Sequence, residues 1–481
     1  MEKFLLGIDV GTTGTKTMLF SADGRYIRHA YEGYPTYTPS VGLSEQDPKD
    51  WWNAVVNTVR QVCGGKPNVV AISISVQGGT MAAVDAHFEP VRPAMVWNDS
   101  RCEIQKQQFA EKFGVDAMYR KTGWHLFSGM NAMQICWLKD NEPKNFQKTA
   151  MFLSVPDYIA YKMTGIAALD PSNIGINQLG NITQKRYDPE ILNFAGITEE
   201  KLPKIVPSGT VIGHLTAVAA KELGLSESCL LVAGAHDQYA VALGAGAVNN
   251  GDILIGSGTC WVVTCMQNAP DFDSKLSQSV SAVPGKWGSL RSLSAGGVCL
   301  DWIRQKVLDS ESYEAINEEA AKQKAAEEGL FFYPFSATTG DKELSKAVFL
   351  GLDLSHNKYH MIRAVMEGVV FQIVWMLEGF RAKPSKEGLI LSGGASKSPL
   401  WTQLLADISG YPIRIPEVPD LACVGAAILA GLGAKLYENV SQGCGKFAVN
   451  ERIIYPDPKA TETYRLLLND YKRKAKALEN V

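Results

Sequence analysis

Phe4-Leu-Leu-Gly-Ile-Asp9-Val-Gly11-Thr12-Thr13-Gly14-Thr15-Lys16 is the stretch on which the fold of this chain turns. An apolar run carries one acid, Asp9, near its end and passes into a turn rich in Gly and Thr. A second strand-like run from Lys16 to Phe20 follows, then a turn at Asp23-Gly24 and a third strand from Tyr26, so the opening reads as a β-meander. Further along, residues 68–76 and Met81 to Val84 read as buried strands. Leu230 to Ala233 reads as a strand running into Gly234-Ala235-His236-Asp237-Gln238, with a small-residue helix from Tyr239 to Val248. The opening pattern then returns. Asp252 to Ile255 is a strand, Gly256-Ser257-Gly258-Thr259 a turn, and Trp261 to Cys265 the partner strand. Recurrence about 250 residues apart predicts two similarly built halves, and strands alternating with helices make both halves α/β.

The remaining pattern is helical over Ile104 to Met118, Ala132 to Leu138 and His356 to Phe380. In the last of these, Ser355 or Asn357 is the expected cap, and Arg363 and Glu367, one turn apart, are expected to form a surface ion pair. Residues 318–328 and 470–481 read as charged, solvated helical faces. Composition excludes several classes. With 481 residues, 46% hydrophobic and a net charge of −3, the chain is too apolar for disorder and lacks the basic excess of a nucleic-acid or anionic-membrane binder. No run approaches the roughly 18 uninterrupted apolar residues of a membrane span, and the first residues hold too short an apolar core for a secretory signal. Nine scattered cysteines form no C-x-x-C pair, which speaks against a zinc site or disulfide framework and for a reduced, cytoplasmic compartment.

Four loops and one acid have the composition of a phosphate-handling site. A carboxylate ending a buried strand, followed by a Gly-rich turn, surrounds a phosphate-sized space with N–H groups and hydroxyls, and can hold Mg²⁺. Asp9 with Gly11, Thr12 and Thr13 has that form; the alternative is an ordinary hairpin turn. Gly258 and Thr259 would supply a second phosphate loop. Gly296-Gly297 and Gly393-Gly394-Ala395 each precede a helix, where backbone can approach a ligand closely. No Walker motif occurs. Asp237 follows a strand, so it reads either as a helix cap or as a base taking the proton of a substrate hydroxyl during phosphoryl transfer. His236 reads as a packing or hydrogen-bonding residue, and no Ser-His-Asp or Cys-His nucleophile constellation is evident.

Over essentially its whole length the chain resembles the FGGY carbohydrate kinases, of the superfamily of actin, heat-shock chaperones and sugar kinases. Asp9-Val-Gly-Thr-Thr13 is similar to the family's first phosphate loop, Trp97-Asn98-Asp99-Ser-Arg101 to its substrate-side segment, and His236-Asp237-Gln238 to the neighbourhood of its catalytic Asp. Ala347 to Leu352, then His360-Met361 and Ala364-Val-Met-Glu367, fit the second family signature. The earlier signature departs at Gln134, where the family usually has Lys. The resemblance implies two actin-like (ribonuclease H-like) domains facing an interdomain catalytic cleft, residues 1–245 binding sugar and residues 246–481 binding ATP. It implies Mg²⁺ on Asp9; phosphates on Gly11, Thr12, Thr13, Gly258, Thr259 and Gly297; adenosine on Gly393, Gly394, Ala395 and Ser398; and Asp237 as general base. Substrate would lie on Gly78, Gly79, Trp97, Asn98, Asp237 and Gln238.

Val91 to Arg101 looks most like xylulokinases, which makes a ketopentose such as xylulose the expected acceptor. Xylulokinase-like chains carry Met-His, and glycerol kinases Arg-Glu, where this chain has Gly78-Gly79. Gln238 is found in glycerol kinases and Asn in xylulokinases. Two glycines are expected to widen the pocket, so another ketose, a polyol, glycerol or an aldonate stays open as acceptor. Expected partners are a small sugar or polyol and a second copy in a homodimer, with no nucleic acid and no membrane. A non-catalytic sugar or nucleotide sensor on the same fold is the competing class. A dehydrogenase is rejected, because Asp9-x-Gly-Thr-Thr fits no G-x-G-x-x-G before a helix.

Overall fold

The computed structural model describes residues 2–273, 275–307, 311–339, 342–447 and 450–478. The chain divides into two compact units. The first comprises Met1–Val248, Asn268–Gly288 and Pro419–Ala448, and the second Asn249–Gln267, Ser289–Val418 and Val449–Val481.

In the first unit, β1 (Phe4–Val10), β2 (Gly14–Ser21) and β3 (Tyr26–Gly33) form the antiparallel meander, pairing Asp9 with Lys16 and Thr17 with Ala30. Three residues, Gly11 to Thr13, close the first turn. On its other side β1 runs parallel to β4 (Val69–Val76), with Asp9 opposite Ser75. The antiparallel β5 (Val211–His214) and the central β6 (Leu230–His236) complete the order β5-β6-β4-β1-β2-β3. Strands β1, β4 and β6 are buried almost throughout, as their continuous apolar runs require of strands covered on both faces. The helix Pro48–Val62 covers one face through Trp51, Val55 and Val59. The helix Leu421–Gly433 packs on β1, β4 and β6 and against the helix Asp237–Gly244. Its small residues permit close approach: a side chain on Gly425 would collide with the Ala240 carbonyl. A smaller four-stranded sheet carries Glu45–Gln46, Ala94–Met95, Met81–Val84 and Met151–Ser154.

The second unit repeats the hairpin. β7 (Ile253–Ser257) and β8 (Trp261–Gln267) are antiparallel with a three-residue turn, and β7 runs parallel to β10 (Leu389–Gly393). With β9 (Trp287–Leu293), β11 (Ile413–Pro416) and β12 (Glu451–Ile454), six of the seven strands of this sheet run in the order β9-β8-β7-β10-β11-β12. Read from its other end, the first order matches these six one for one, a duplication already visible in the recurrent Gly/Thr turns. The helix Lys358–Leu377, capped by Asn357, is long and apolar enough to cross a membrane by length and composition, yet 78% of its apolar window is buried inside the protein. It is the core helix of this unit.

Three expectations change. Arg363 and Glu367 are paired at 2.7 Å but not at the surface, since Glu367 is 2% exposed. Tyr464 Oη and the Ala326 N–H both donate to Glu367, supplying the hydrogen bonds that a buried charge needs. The charged stretch 318–328 is helical only to Ala321, and it then turns inward to bury Ala325 and Ala326. The pattern over residues 104–118 is broken at Gly114 into two helices, Glu103–Phe113 and Val115–Thr122. Of the terminal stretch 470–481, the helix Pro458–Ala477 covers the beginning, and residues 479–481 lie outside the described residues.

Candidate active site

In the first unit, strand ends carry the acids. Asp9 is the penultimate residue of β1, and its Oδ1 accepts from Ser75 Oγ of β4 at 2.8 Å. Its pKa is pushed up to about 7, first by burial and then by the carboxylate of Asp420, with Asp237 adding to the rise and Ser75 and Lys16 opposing it. Asp420 was not anticipated. It caps the helix Leu421–Gly433 through Oδ1, and its Oδ2 is 2.5 Å from Lys16 Nζ. Burial works against the Lys16 ammonium, and Asp420 more than offsets it. Sequence could have supplied the cap reading of Asp420, but not its nearness to an acid some 400 positions away.

Asp237 is the first residue of its helix and remains half-buried, its side chain 36% exposed. Oδ1 accepts from the Gln238 N–H at 2.6 Å, and His236 Nδ1 lies 3.1 Å away without the alignment of a hydrogen bond. Oδ2 has no hydrogen-bond partner among the described residues. The carboxylate therefore does not cap the helix in the usual way; one oxygen is fixed by backbone and the other is open. His236 is 4% exposed, its N–H bound to Ser172 Oγ and its ring lying between Trp124 and Tyr239.

The first turn is held from behind. Tyr34 Oη donates to the Gly11 carbonyl, Gln46 Nε2 to the Thr12 carbonyl at 2.6 Å, and Tyr31 Oη to the Thr13 carbonyl at 3.2 Å. Three successive carbonyls are thus engaged by side chains, which fixes the peptide planes of the turn. Trp97 Nε1 donates to Thr12 Oγ1 at 3.0 Å, joining the substrate-side segment to this turn. Trp97 and Asn98 are exposed, whereas Asp99 is fully buried in a fork with Arg101. Arg101 also meets Glu45, and Arg92 meets Glu45 and Glu142, so both guanidinium groups are committed to carboxylates.

Gly78 and Gly79 do not open the space expected of them. A Cβ on Gly78 would lie 2.6 Å from His236 Cδ2 and 2.7 Å from Ile176 Cδ1. Gly79 has φ +74°, and a Cβ there would lie 2.9 Å from Met130 Sδ. Neighbouring side chains occupy the volume that larger residues would take. Gln134, where the family usually has Lys, meets backbone carbonyls that suit either residue. It is fully buried, and its Nε2 faces the carbonyls of Gly79, Met95 and Gly129 at 3.3, 3.2 and 2.7 Å. An ammonium would match three acceptors with three donors; the amide has two.

In the second unit three Gly loops converge. The N–H groups of Gly296 and Gly297 donate to the Thr259 and Gly258 carbonyls at 3.2 and 3.1 Å, bringing Gly258, Thr259 and Gly297 together. Ser257 Oγ donates to the Ser392 carbonyl and accepts from the Ala395 N–H, tying in the third loop. Gly258, Thr259, Gly393 and Gly394 are exposed. Ser398 is buried, its hydroxyl donating to Asn317 and accepting from the Trp401 N–H.

Comparison with known proteins gives this chemistry a lineage. Residues 4–244 match the N-terminal domain, and residues 252–434 the C-terminal domain, of the FGGY family of carbohydrate kinases. The chain is 28% identical over 480 residues to the xylulose kinase of Bacillus subtilis (strain 168), covering 98% of this chain and 96% of that one. It is 28% identical over 449 residues to a gluconokinase of the same organism, covering 89% and 87%. A ligand-bound xylulose kinase from Lactobacillus acidophilus shares the fold with a TM-score of 0.92 at 24% identity, over 99% of both chains. The two domain matches together span most of the chain, which therefore belongs to the FGGY family of carbohydrate kinases and is a phosphotransferase.

Proposed function

We propose that the protein transfers the γ-phosphoryl group of ATP to a hydroxyl of a neutral ketopentose such as xylulose, with Asp237 as general base, in the cytoplasm. The observation that carries this reading is the state of Asp237: Oδ1 is fixed by the Gln238 N–H and Oδ2 is open in a half-exposed carboxylate. Such a group can take a proton from an acceptor hydroxyl as that oxygen attacks phosphorus. Trp97, Asn98 and Gln238 would position the sugar beside it, against the backbone of Gly78 and Gly79. The first unit, which takes in Asn268–Gly288 and Pro419–Ala448 besides the expected residues 1–245, would supply the sugar side and the first phosphate loop, and the second unit, narrower than the expected residues 246–481, the nucleotide side. There Gly258, Thr259 and Gly297 would meet phosphates and Gly393, Gly394 and Ala395 the adenosine, while Ser398 would support that loop as a helix cap.

The first unit's acids fit a divalent cation. Asp9 interacts with the carboxylates of Asp420 and Asp237 and with one ammonium, Lys16, leaving negative charge in excess. Among the described residues no group of three or more His, Cys, Asp or Glu side chains could hold a metal by itself. That suits Mg²⁺, which keeps several waters and takes one or two carboxylates together with phosphates. Asp9 would hold the ion, which neutralises phosphate charge when bound. Thr12 and Thr13 present hydroxyls on a turn whose carbonyls are already engaged, which favours an anion over a cation at that edge.

The gluconokinase relative favours a second reading, an aldonate acceptor. Commitment of Arg92 and Arg101 to carboxylates weighs against it, because an aldonate brings a charge that those groups cannot receive. A coupled ADP-release screen over ketopentoses, hexuloses, polyols, glycerol and aldonates decides between them. Fastest turnover on gluconate would overturn the neutral-sugar reading. Asp237→Asn should lower kcat about 10²–10⁴-fold with an unchanged melting profile, and undiminished turnover would remove Asp237 from the role of base.

A further inference from the structure

Thr12 and Trp97 are the two accessible points on a closed ring of hydrogen bonds. From the Thr12 carbonyl the ring passes to Gln46 Nε2 at 2.6 Å, and from Gln46 Oε1 to Gln77 Nε2 at 3.3 Å. Gln77 Oε1 accepts from Thr80 Oγ1 at 3.3 Å, and Thr80 Oγ1 accepts from the Trp97 N–H at 3.3 Å. Trp97 Nε1 then returns to Thr12 Oγ1 at 3.0 Å. Gln46, Gln77 and Thr80 are 0%, 3% and 0% exposed, whereas Trp97 is 39% exposed and Thr12 is half-buried. The ring is anchored on the fold at two places: Trp51 Nε1 donates to Gln46 Oε1 at 2.9 Å, and the Gln77 N–H donates to the Val10 carbonyl at 3.0 Å.

Such a ring has a mechanical consequence. Thr12 is held at both its carbonyl and its hydroxyl by groups of the ring, so its orientation depends on the indole of Trp97 and on the amide planes of the two glutamines. Each buried polar atom has one good arrangement, because leaving it unpaired costs about as much as a lost hydrogen bond. A ligand that fixes the indole therefore fixes Thr12 as well.

Resting on the kinase reading above, we propose that Trp97, Gln46 and Gln77 are positioning residues that couple sugar binding to the first phosphate loop. A sugar seated on Trp97 sets the Thr12 hydroxyl for the nucleotide, and without a sugar that hydroxyl is held less firmly. The device favours productive over unproductive nucleotide binding, since each ligand tightens the other by the same factor. Gln77 and Gln46 touch neither ligand and act only through Thr12 and Trp97.

Isothermal titration of the full chain with Mg-AMPPNP, with and without saturating D-xylulose, tests it. The wild type should bind the nucleotide analogue about five- to tenfold more tightly with the sugar present, the worth of roughly one hydrogen bond. Trp97→Phe keeps the ring face and deletes the donor, and Gln77→Met breaks the ring away from both ligands. Each should reduce the enhancement to less than twofold, and Gln77→Met, which lies away from both ligands, should change sugar-free nucleotide affinity by less than about twofold. Sugar enhancement retained in Trp97→Phe, or absent in the wild type, would overturn the inference. Trp97 is exposed, so its variant does not depend on the buried site tolerating change. Failure of the kinase reading would look different: no sugar in the screen would then release ADP from the wild type.

Discussion

Replacing Asp9 by Asn should make the ligand-free protein more stable, and by an amount that depends on pH. Asn keeps the shape of the side chain and an oxygen to accept the 2.8 Å hydrogen bond from Ser75, but it removes a charge that burial, Asp420 and Asp237 all disfavour. In the unfolded chain the carboxyl ionises near 3.8; in the folded protein it does so at about 7. Below about pH 4 both states hold the proton and the group costs nothing. Between pH 4 and 7 the unfolded state releases its proton and the folded state keeps it, so stability falls as pH rises. Above pH 7 the penalty is complete. Linkage sets a ceiling of ~4 kcal/mol, and relaxation of Asp420 and Lys16 around the ionised group brings this to about 2–4 kcal/mol. For a unit of this size that corresponds to a rise in Tm of roughly 3–6 °C. Differential scanning calorimetry of both proteins at pH 5, 6.5 and 8, without nucleotide or divalent cation, measures it. The gain should be about two-fifths of its full size at pH 5 and level off above pH 7, while turnover is lost. A gain independent of pH, larger at pH 5 than at pH 8, or negative at pH 8 would refute the electrostatic account of Asp9.

Two further outcomes follow from packing. Gly78→Ala should destabilise the protein by about 1–3 kcal/mol by overpacking against the His236 ring, raising KM for the sugar with KM for ATP unchanged. Combining it with His236→Ala should recover part of the loss in urea unfolding, and strict additivity would show that the two do not touch. Gln134→Leu strands three buried carbonyls and should cost about 2–4 kcal/mol, whereas Gln134→Lys should lose less than half as much in the same measurement.

Legibility in the sequence followed the range of the forces involved. The hairpins, the buried strands β1, β4 and β6, and the Gly/Thr turns are local patterns, and they appear where the residues predict them. The positions of Asp9 near the end of a strand and of Asp237 just past one follow from the same local patterns. What stayed hidden depends on distant partners. Asp420 approaches Asp9 only because the helix it caps packs on β1. Gln46 and Gln77 look like ordinary polar residues until burial brings their amides together. Gly78 and Gly79 suggested empty space, yet whether a glycine leaves a void depends on what the chain places beside it, here His236 and Met130. Glu367 reads as a surface residue on its helical periodicity, which does not register Tyr464 or Ala326.

The helix Leu421–Gly433 also sets a timetable. It covers β1, β4 and β6 and belongs to the first unit, but roughly 170 residues separate it from Val248, where that unit's main segment ends. At 5–20 residues per second, a ribosome needs about 10–35 s to cross that interval. The nascent first unit spends this time with an uncovered apolar sheet and with Lys16 lacking its counter-ion, as would any truncated product ending near residue 250. Chaperone occupancy on translating ribosomes should therefore persist past the middle of the message and fall only once residue 448 has emerged.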